Sequence, residues 1–269
     1  MIAALERRIR GYSARAHVAF SGGVDSSVVL ALAAQALEPS SVVAVTAVSP
    51  SYPAGELEAA ARVAADLGVT HRVVRTHEVE REAYARNDEM RCYHCKAELY
   101  AALSRVVGNA RSRAVVLAGA NADDLDDFRP GLWAGRRAGV RNPLLEEHVG
   151  KACVRSIAHA LDLPVSDKPA LACLSSRVEF GIRVTPELLA RIDAAEQLVR
   201  RLGFEVVRVR HHGDAATIEV EGAEVIRLRT HPGLPSAVTQ ILALGWREVR
   251  VDPEGYRQGG ATPHRRHLA

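Results

Sequence analysis

Aromatic residues are scarce in this chain of 269 residues, where six Tyr, four Phe and two Trp make up 4% of the sequence. The core must therefore be built from Ala, Val and Leu, and a hydrophobic fraction of 48% predicts a globular protein. No stretch approaches the length that a bilayer requires, and residues 1–10 carry charges that a signal peptide would not place within its apolar pattern. Only four cysteines are present. Without a secretion signal they predict a cytoplasmic protein whose thiols are ligands or catalysts.

Strong charge of either sign is also missing. The formal net charge is +3, and no basic run occurs before the last dozen residues. The chain lacks the basic, aromatic-interleaved surface of nucleic-acid-binding proteins, which argues against a nucleic-acid partner. Anionic small molecules remain as candidate ligands. The length allows one large domain or two unequal ones.

A glycine-rich turn lies near the N-terminus, between an apolar run at 16–20 that predicts a strand and an Ala-rich run at 24–37 that predicts a helix. Gly22 and Gly23 allow a sharp turn that brings backbone N–H groups close to a ligand. The helix N-terminus adds unpaired donors and a partial positive charge, which favour an anion. Serine hydroxyls add donors, and Asp25 can hold a metal ion that bridges phosphates. The alternative is an ordinary turn that caps a helix.

The turn reads Ser-Gly-Gly-Val-Asp-Ser and lacks the Gly-Lys-Ser/Thr ending of a Walker A loop. It resembles the pyrophosphate loop (PP-loop) of ATP pyrophosphatases, which cleave ATP between its α- and β-phosphates and adenylate a substrate. The residues expected to bind ATP and Mg2+ are Ser21, Gly22, Gly23, Val24, Asp25 and Ser26.

Strands and helices alternate through the first part of the chain. Further strands are predicted at 42–48, 71–75 and 114–118, and helices at 3–11 and 55–67. The alternation predicts an α/β fold with a doubly wound parallel sheet, in which ligands bind at the carboxyl ends of the strands. Thr46, towards the end of the second strand, is expected beside the adenine, and Gly119, after the fourth strand, is expected to contact the nucleotide.

The pattern changes after Gly181. Helices are predicted at 185–202, 223–229 and 235–244, and strands at 205–210, 216–220 and 248–251. We therefore expect a PP-loop domain over residues 1–180, a small α+β domain over 181–260 and a disordered tail over 261–269.

Cys92 and Cys95 form a CxxC pair, which by itself is compatible with redox, zinc or iron–sulfur chemistry. Cys173 lies in a polar, Ser-rich segment. Three thiolates from two segments cannot complete a four-cysteine zinc site, but they can hold a [4Fe–4S] cluster with one iron left open. Cys153 is a candidate fourth ligand, but it lies in a helical pattern where cysteine often serves as a small core residue, and the core role is favoured. The alternative for the CxxC pair is two unrelated buried thiols.

An acidic segment, residues 119–131, follows the fourth strand. Its aspartates stand at a strand end, so they are expected to face the same site as Ser21. The alternative is a solvated acidic loop.

Several segments, taken together, resemble one family over residues 15–259. They are the Ser-Gly-Gly-Val-Asp-Ser turn, CYHCK, GANADDLDDFRPG, DKPALACLSSR, RVRHHGD and GYRQG. This combination resembles the LarE family of ATP-dependent sulfurtransferases, which make the nickel-pincer cofactor of lactate racemase. The resemblance implies that ATP adenylates a carboxylate of pyridinium-3,5-biscarboxylic acid mononucleotide. A sulfur nucleophile then displaces AMP and leaves a thiocarboxylate.

The family has two sources of sulfur. In one branch a cysteine, which Cys173 matches, gives up its own sulfur and ends as dehydroalanine. In the other branch three cysteines bind a [4Fe–4S] cluster that carries an extra sulfide, and Cys92 and Cys95 match its additional pair. All three cysteines are present here, so the resemblance favours the cluster branch, with the sacrificial cysteine as the alternative.

The resemblance also implies roles for charged residues of the second domain. Arg208 and Arg210 resemble arginines that hold the substrate phosphate, and a strand places both on one face. Glu196 and Glu219 resemble acids near a metal, although Arg227 stands where some members have a further acid. The alternative for these residues is a solvated surface.

In the first domain Lys96 is expected to offset charge on the ATP phosphates or the adenylate. Arg177, near Cys173, and Asp124, in the acidic segment, are assigned to the substrate. The resemblance further implies a homo-oligomer, a sulfide donor and a downstream nickel-insertion protein.

Three rival functions stay open. A tRNA thiolase also combines a PP-loop with a three-cysteine cluster, but the modest charge argues against RNA binding. An amidotransferase-type synthetase needs an ammonia source, for which no pattern is found. A non-enzymatic nucleotide-binding or metal-storage protein would release no pyrophosphate.

Overall fold

The computed structural model describes residues 1–107, 114–125, 128–169 and 172–257. Residue contacts divide the chain into two compact units. The first unit comprises residues 1–49, 54–78 and 92–171, and the second comprises 50–53, 79–91 and the chain from residue 172. No helix among the described residues is long and apolar enough to cross a membrane. The expected tail, 261–269, lies outside the described residues.

Seven strands and eleven α-helices are found in the described part of the chain. The strands are β1 Ala16–Ala19, β2 Val42–Val48, β3 Thr70–Arg75, β4 Val115–Leu117, β5 Val207–His212, β6 Ala215–Val220 and β7 Glu248–Val251. The helices are α1 Ile2–Tyr12, α2 Val24–Leu37, α3 Glu56–Asp66, α4 Glu82–Ala85, α5 Arg91–Val107, α6 Pro130–Arg137, α7 Pro143–Glu146, α8 Lys151–Ala160, α9 Pro186–Arg200, α10 Val225–Arg229 and α11 Leu234–Ala243. The bounds predicted for α2, β2 and β7 are confirmed residue for residue.

The first unit is built on a parallel sheet with the strand order β3-β2-β1-β4. Helices occupy the connections, because parallel strands need crossover segments to return the chain to the same end of the sheet. The predicted parallel α/β fold is therefore confirmed. Since the strands run the same way, the carboxyl ends of β1, β2 and β4 lie at one edge of the sheet.

Helix α2 forms the centre of the first unit. Its residues Val28, Leu30 and Leu32 are fully buried, and the helix packs against α1, α8 and β1. A helix that is apolar on every side has no face for solvent, so it must be covered by its neighbours. The N-terminus of α2 is thereby held rigidly at the sheet edge.

The second unit contains a three-stranded mixed sheet of order β5-β6-β7. Strands β5 and β6 are antiparallel, and β6 and β7 are parallel. Gly213, with φ of +69°, occupies the tight connection between β5 and β6. Helix α9 packs against β5. The prediction of a small α+β region with mixed elements is confirmed.

The second unit also takes in residues 79–91, which the sequence analysis assigned to the PP-loop domain. Asn87 is fully buried, and its side-chain amide donates to the carbonyls of Glu179 at 2.8 Å and Ile182 at 3.0 Å. The Val184 N–H donates to the Ala85 carbonyl at 2.8 Å. These bonds connect segments about 100 residues apart in sequence, so no local pattern could place the boundary.

Candidate functional site

Two glycines shape the junction between β1 and α2. Gly22 has φ of +75°, and a Cβ on it would lie 3.0 Å from the Ala60 Cβ on α3. Gly119, after β4, comes so close to the first turn of α2 that a Cβ would lie 2.8 Å from the Ser26 nitrogen. Any larger residue at Gly119 would push the end of β4 away from the helix N-terminus, so the shape of the PP-loop depends on both glycines.

The serine hydroxyls of the turn form hydrogen bonds with backbone groups of the same turn. Ser26 and Ser27 donate to the Gly23 carbonyl at 3.0 and 2.9 Å. The Ser26 hydroxyl also accepts from the Ser21 N–H at 3.3 Å. The sequence predicted these hydroxyls as donors to a ligand, whereas here those of Ser26 and Ser27 fix the backbone that would contact one.

Asp25 lies in the first turn of α2, and both of its carboxylate oxygens are engaged. The side-chain amide of Asn121 donates to Oδ1 at 2.9 Å, and the Lys151 ammonium donates to Oδ2. Lys151 begins α8, and its N–H donates to Asp123 at 2.9 Å. Two segments distant in sequence, the one after β4 and the start of α8, therefore converge on the carboxylate that the sequence assigned to Mg2+.

A second lysine lies against the same turn. The Lys168 ammonium donates to the Gly22 carbonyl at 3.2 Å and pairs with Glu56 at 2.6 Å. Lys151 and Lys168 thus bring two positive charges to the PP-loop. Each ammonium is paired with a carboxylate, Asp25 or Glu56, so the uncompensated positive character at the turn comes from the helix N-terminus.

Thr46 is fully buried in the second half of β2, two residues before its last residue, Val48. Its hydroxyl donates to the Phe20 carbonyl at 2.8 Å and lies 2.8 Å from Nε2 of His71. Burial lowers the pKa of His71 below its ordinary value. The Thr46 side chain therefore links β2 to the residue that follows β1 and to the start of β3, and its predicted place beside the adenine stays a prediction.

The acidic segment after β4 folds into a short turn, Ala122–Leu125. Asp124 accepts from the Asn121 N–H at 3.0 Å and pairs with Arg129 at 3.2 Å. The turn thereby orients Asn121, which holds Asp25. The expected substrate role of Asp124 stays a prediction, and Asp126 and Asp127 lie outside the described residues.

None of the four cysteines is in a disulfide. Cys92 and Cys95 lie one turn apart near the start of α5, in the first unit, so their side chains lie on one face of the helix. Cys173 is in the second unit. Cys153 is half-buried on α8 and packs against the core, which confirms its predicted place. Within the described parts of the chain, no three His, Cys, Asp or Glu side chains are grouped as a metal site.

Lys96 follows the CxxC pair on α5 and is exposed. A Cβ on Gly131, at the start of α6, would lie 3.0 Å from its Cγ, so α6 packs closely against the lysine stem. Its predicted charge-offsetting role is not decided by these contacts and stays a prediction.

In the second unit Glu196 is fully buried on α9. Arg177 donates to its two oxygens at 2.8 and 3.3 Å, Arg200 donates to Oε2 at 2.8 Å, and the Val209 N–H donates to Oε1 at 3.1 Å. Burial alone would raise the pKa of Glu196, but Arg177 and Arg200 outweigh it, and the pKa lies below its usual range. The surface alternative for Glu196 is therefore wrong.

Arg208 and Arg210 on β5 are also buried, so the solvated-face alternative is wrong for them too. Arg210 pairs with Glu219 across the sheet at 2.8 Å, and burial, with repulsion from Arg177, lowers the pKa of Arg208. Four arginines face two glutamates in this group. Such a positive excess disfavours a further cation and favours an anion; the expected metal role of Glu196 and Glu219 stays a prediction.

Arg227 stacks on the Phe204 ring with its guanidinium 3.9 Å from the ring centre. It also donates to the Gly203 carbonyl at 3.0 Å, just past the end of α9. This exposed residue therefore closes the end of α9 and also pairs with Glu224.

Comparisons with known proteins agree with the geometry of the first unit. Residues 3–128 match the asparagine synthase family model. A Lactiplantibacillus plantarum protein named pyridinium-3,5-bisthiocarboxylic acid mononucleotide synthase is 35% identical over 245 residues, which are 91% of this chain and 88% of that protein. The chain belongs to the LarE family. It is an ATP-dependent sulfurtransferase with a PP-loop.

Two further relatives of this LarE family member carry no stated activity. An uncharacterised Synechocystis protein, slr1717, is 41% identical over 253 residues, 94% of each chain. An uncharacterised Methanocaldococcus jannaschii protein, MJ0830, is 28% identical over 204 residues, 76% of this chain and 77% of its own length.

Sequence reasoning missed Asn121, Lys151 and Lys168 as parts of the nucleotide site. Two signals could have found the lysines. The chain has only three lysines among 35 basic residues, so each stands out against a background of arginine. Lys151 is also the first residue of a helix, where the helix dipole opposes a positive charge. A cation placed there against local preference indicates a tertiary role.

Proposed function

We propose that this enzyme transfers sulfur to a carboxylate of pyridinium-3,5-biscarboxylic acid mononucleotide through an acyl-adenylate, for synthesis of a nickel-pincer cofactor. The observation that carries this proposal is the Asp25–Asn121–Lys151 arrangement at the PP-loop, in a chain related along most of its length to the bisthiocarboxylic acid mononucleotide synthase.

In the first step the substrate carboxylate attacks the α-phosphorus of ATP, and pyrophosphate leaves with the electron pair of the broken P–O bond. The protein supplies position and positive charge. The backbone N–H groups of the turn face the phosphates, and Asp25 would hold Mg2+, which neutralises phosphate charge. The Lys151 ammonium pairs with Asp25 before ATP arrives and transfers to the phosphates when the nucleotide binds. Lys168 supports the departing pyrophosphate.

In the second step a sulfur nucleophile attacks the acyl carbon, and the C–O bond to AMP breaks. Cys92, Cys95 and Cys173 are thiol donors outside any disulfide, a donor set that fits three ligands of a [4Fe–4S] cluster. Bound there, the cluster would supply a sulfide for repeated turnover. The alternative is loss of the Cys173 sulfur itself, with the Cα proton, which leaves dehydroalanine and permits one turnover.

The mononucleotide phosphate is assigned to the arginine-rich group of the second unit. Arg208 and Arg210 share one face of β5, and the positive excess around them suits a phosphate. The product would pass to a nickel-inserting protein, and a donor would reload the sulfide. We expect a cytoplasmic homo-oligomer.

The function is tested with anaerobically purified protein, ATP, Mg2+ and the biscarboxylic mononucleotide. We expect pyrophosphate release that depends on the mononucleotide and a product whose mass shows exchange of oxygen for sulfur. Release that depends on tRNA would establish the thiolase rival, and no substrate-dependent release would refute adenylation.

The sulfur source is tested in the same samples by iron and labile-sulfide assays and by the mass of the Cys173 peptide. Loss of iron on Cys92→Ala, Cys95→Ala or Cys173→Ala, with iron retained in Cys153→Ala, supports the cluster. Dehydroalanine at Cys173 after one turnover, without iron, would establish the sacrificial route.

A further inference from the structure

Cys173 is followed by a short turn, Leu174–Arg177, whose carbonyl groups are held by arginines. Arg177 donates from Nη1 to the carbonyls of Ala172 at 2.8 Å and Cys173 at 2.9 Å. Arg91 donates to the Ser175 carbonyl at 2.7 Å, and Arg210 donates to the Ser176 carbonyl at 2.9 Å. The backbone on both sides of Cys173 is thus fixed by charge-assisted hydrogen bonds.

The three arginines are themselves buried and oriented. Arg177 is 2% exposed, Arg91 7% and Arg210 8%. Both oxygens of Glu196 accept from Arg177, and Glu219 accepts from Arg210 at 2.8 Å. The side-chain amide oxygen of Asn87, Oδ1, accepts from Arg91. Arg177 and Arg210 each use different nitrogens for the glutamate and for the turn, whereas Arg91 donates to Asn87 and to the Ser175 carbonyl from the same nitrogen, Nη1. A planar, rigid donor fork suits this bridging role.

Stability alone does not require such an arrangement. Apolar side chains of similar volume commonly stabilise a buried site as well as ion pairs do, because burying charges costs desolvation energy. Backbone carbonyls near a surface can also be satisfied by water. A fully satisfied polar network does, however, select one conformation of what it holds. The residue presented by this turn is the half-buried Cys173 thiol.

We propose that Arg91, Arg177 and Arg210 are positioning residues that hold the Cys173 turn in one conformation and so fix the position of the Cys173 sulfur. Arg177 has the largest effect, since it contacts the carbonyl of Cys173 itself. The catalytic meaning of this rests on the proposed sulfur transfer. It also reassigns Arg177 from substrate binding to positioning, because all three of its guanidinium nitrogens donate inside the protein. Arg210 donates inside the protein from Nε and Nη1 and keeps its proposed phosphate role as well.

The test uses Arg177→Lys in the full chain, which keeps a positive charge beside Glu196 but loses the fork that reaches the turn. After iron removal with a chelator, the rate of alkylation by iodoacetamide is measured at each cysteine by peptide mass spectrometry. Loss of one charge-assisted hydrogen bond corresponds to about tenfold more opening of the turn, so we expect about tenfold faster alkylation of Cys173. Cys153, in the first unit, serves as the internal reference. Arg183→Lys is the matched control, because Arg183 makes an exposed ion pair with Glu82 in the same unit.

Steady-state kinetics separate positioning from substrate binding. The proposal expects a lower kcat for thiocarboxylate formation, with the KM values for ATP and mononucleotide unchanged. A folded Arg177→Lys protein whose Cys173 alkylates at the wild-type rate overturns the proposal, and a raised mononucleotide KM in that protein would return Arg177 to the substrate site.

A second variant covers the case in which Arg177→Lys does not fold. Ser176→Ala removes a hydroxyl that donates to the Cys173 carbonyl at 2.8 Å and accepts from Arg177 at 3.1 Å. Alkylation of Cys173 must be faster in Ser176→Ala than in the wild type, though by less than in Arg177→Lys. An unchanged alkylation rate in Ser176→Ala counts against the proposal. The two proposals fail in distinguishable ways. A wild-type protein that forms no thiocarboxylate would refute the proposed sulfur transfer. Alkylation needs no substrate, so its rate would still show whether the arginines hold the Cys173 turn.

Discussion

Replacing Lys151 by Gln separates a structural ion pair from a catalytic charge. Lys151 and Asp25 form an ion pair whose side chains are 33% and 25% exposed. A pair of that exposure stabilises a protein by only about 0.2–1 kcal/mol, because solvent screens it. Asn121 still donates a hydrogen bond to Asp25 in the variant, so the carboxylate keeps a hydrogen-bond partner. We therefore expect the urea midpoint of Lys151→Gln to stay close to that of the wild type.

The expected effect on chemistry is much larger. Removing one preorganised positive contact from a transition state that carries developing charge costs about 2.7–4 kcal/mol, or roughly 10²–10³ in kcat. Substrate-dependent pyrophosphate release measures it. Arg10→Gln is the control, since it removes a cation from an exposed helix pair with Glu6.

The reasoning is refuted if Lys151→Gln releases pyrophosphate at the wild-type rate. It is also refuted if the whole activity loss follows from unfolding, which the urea curve would reveal. Recovery of most of the rate in Lys151→Arg would show that charge, more than shape, is required at this position.

Three further predictions concern packing, substrate binding and pH. Gly119→Ala places a Cβ 2.8 Å from backbone of the α2 helix; it should cost about 1–3 kcal/mol in urea unfolding and raise the KM for ATP, and an unchanged midpoint would contradict the close approach. Arg208→Ala should raise the KM for the mononucleotide roughly tenfold or more, the effect of losing one charge-assisted phosphate contact, while equal KM changes for ATP and mononucleotide would count against a phosphate role. Burial lowers the pKa of His71 from its ordinary 6.5, so the unfolded chain takes up the proton more readily and stability present above pH 6.5 falls as the pH drops through that value. His71→Gln should flatten the fall of the urea midpoint between pH 7 and 5, and an identical slope in the variant would exclude His71 as a cause.

Much of the fold was predictable because its signals are local. The apolar, Ala-rich run of α2 and the Val-rich run of β2 each carry their composition signal within one continuous segment, so their bounds were predicted to the residue. The PP-loop was predictable for the same reason, since its glycines, hydroxyls and acid are consecutive. The bounds of most short strands differed from their predicted bounds by one or two residues. Strand β4, for example, was predicted at 114–118 and is found at Val115–Leu117, because neighbouring strands decide where a short strand ends.

The partners of these residues were decided only by the tertiary structure. Asp25 meets Asn121 and Lys151 across 96 and 126 residues, because parallel strands bring their carboxyl ends to one edge whatever their separation in sequence. The sequence named Arg177, Arg210, Glu196 and Glu219 as charged residues of a site. It could not show that they would be buried against each other and against the Cys173 turn, since burial and pairing depend on how α9 packs on β5. Local pattern therefore determined which chemical groups are present, and long-range packing determined which of them face a ligand and which hold the others in place.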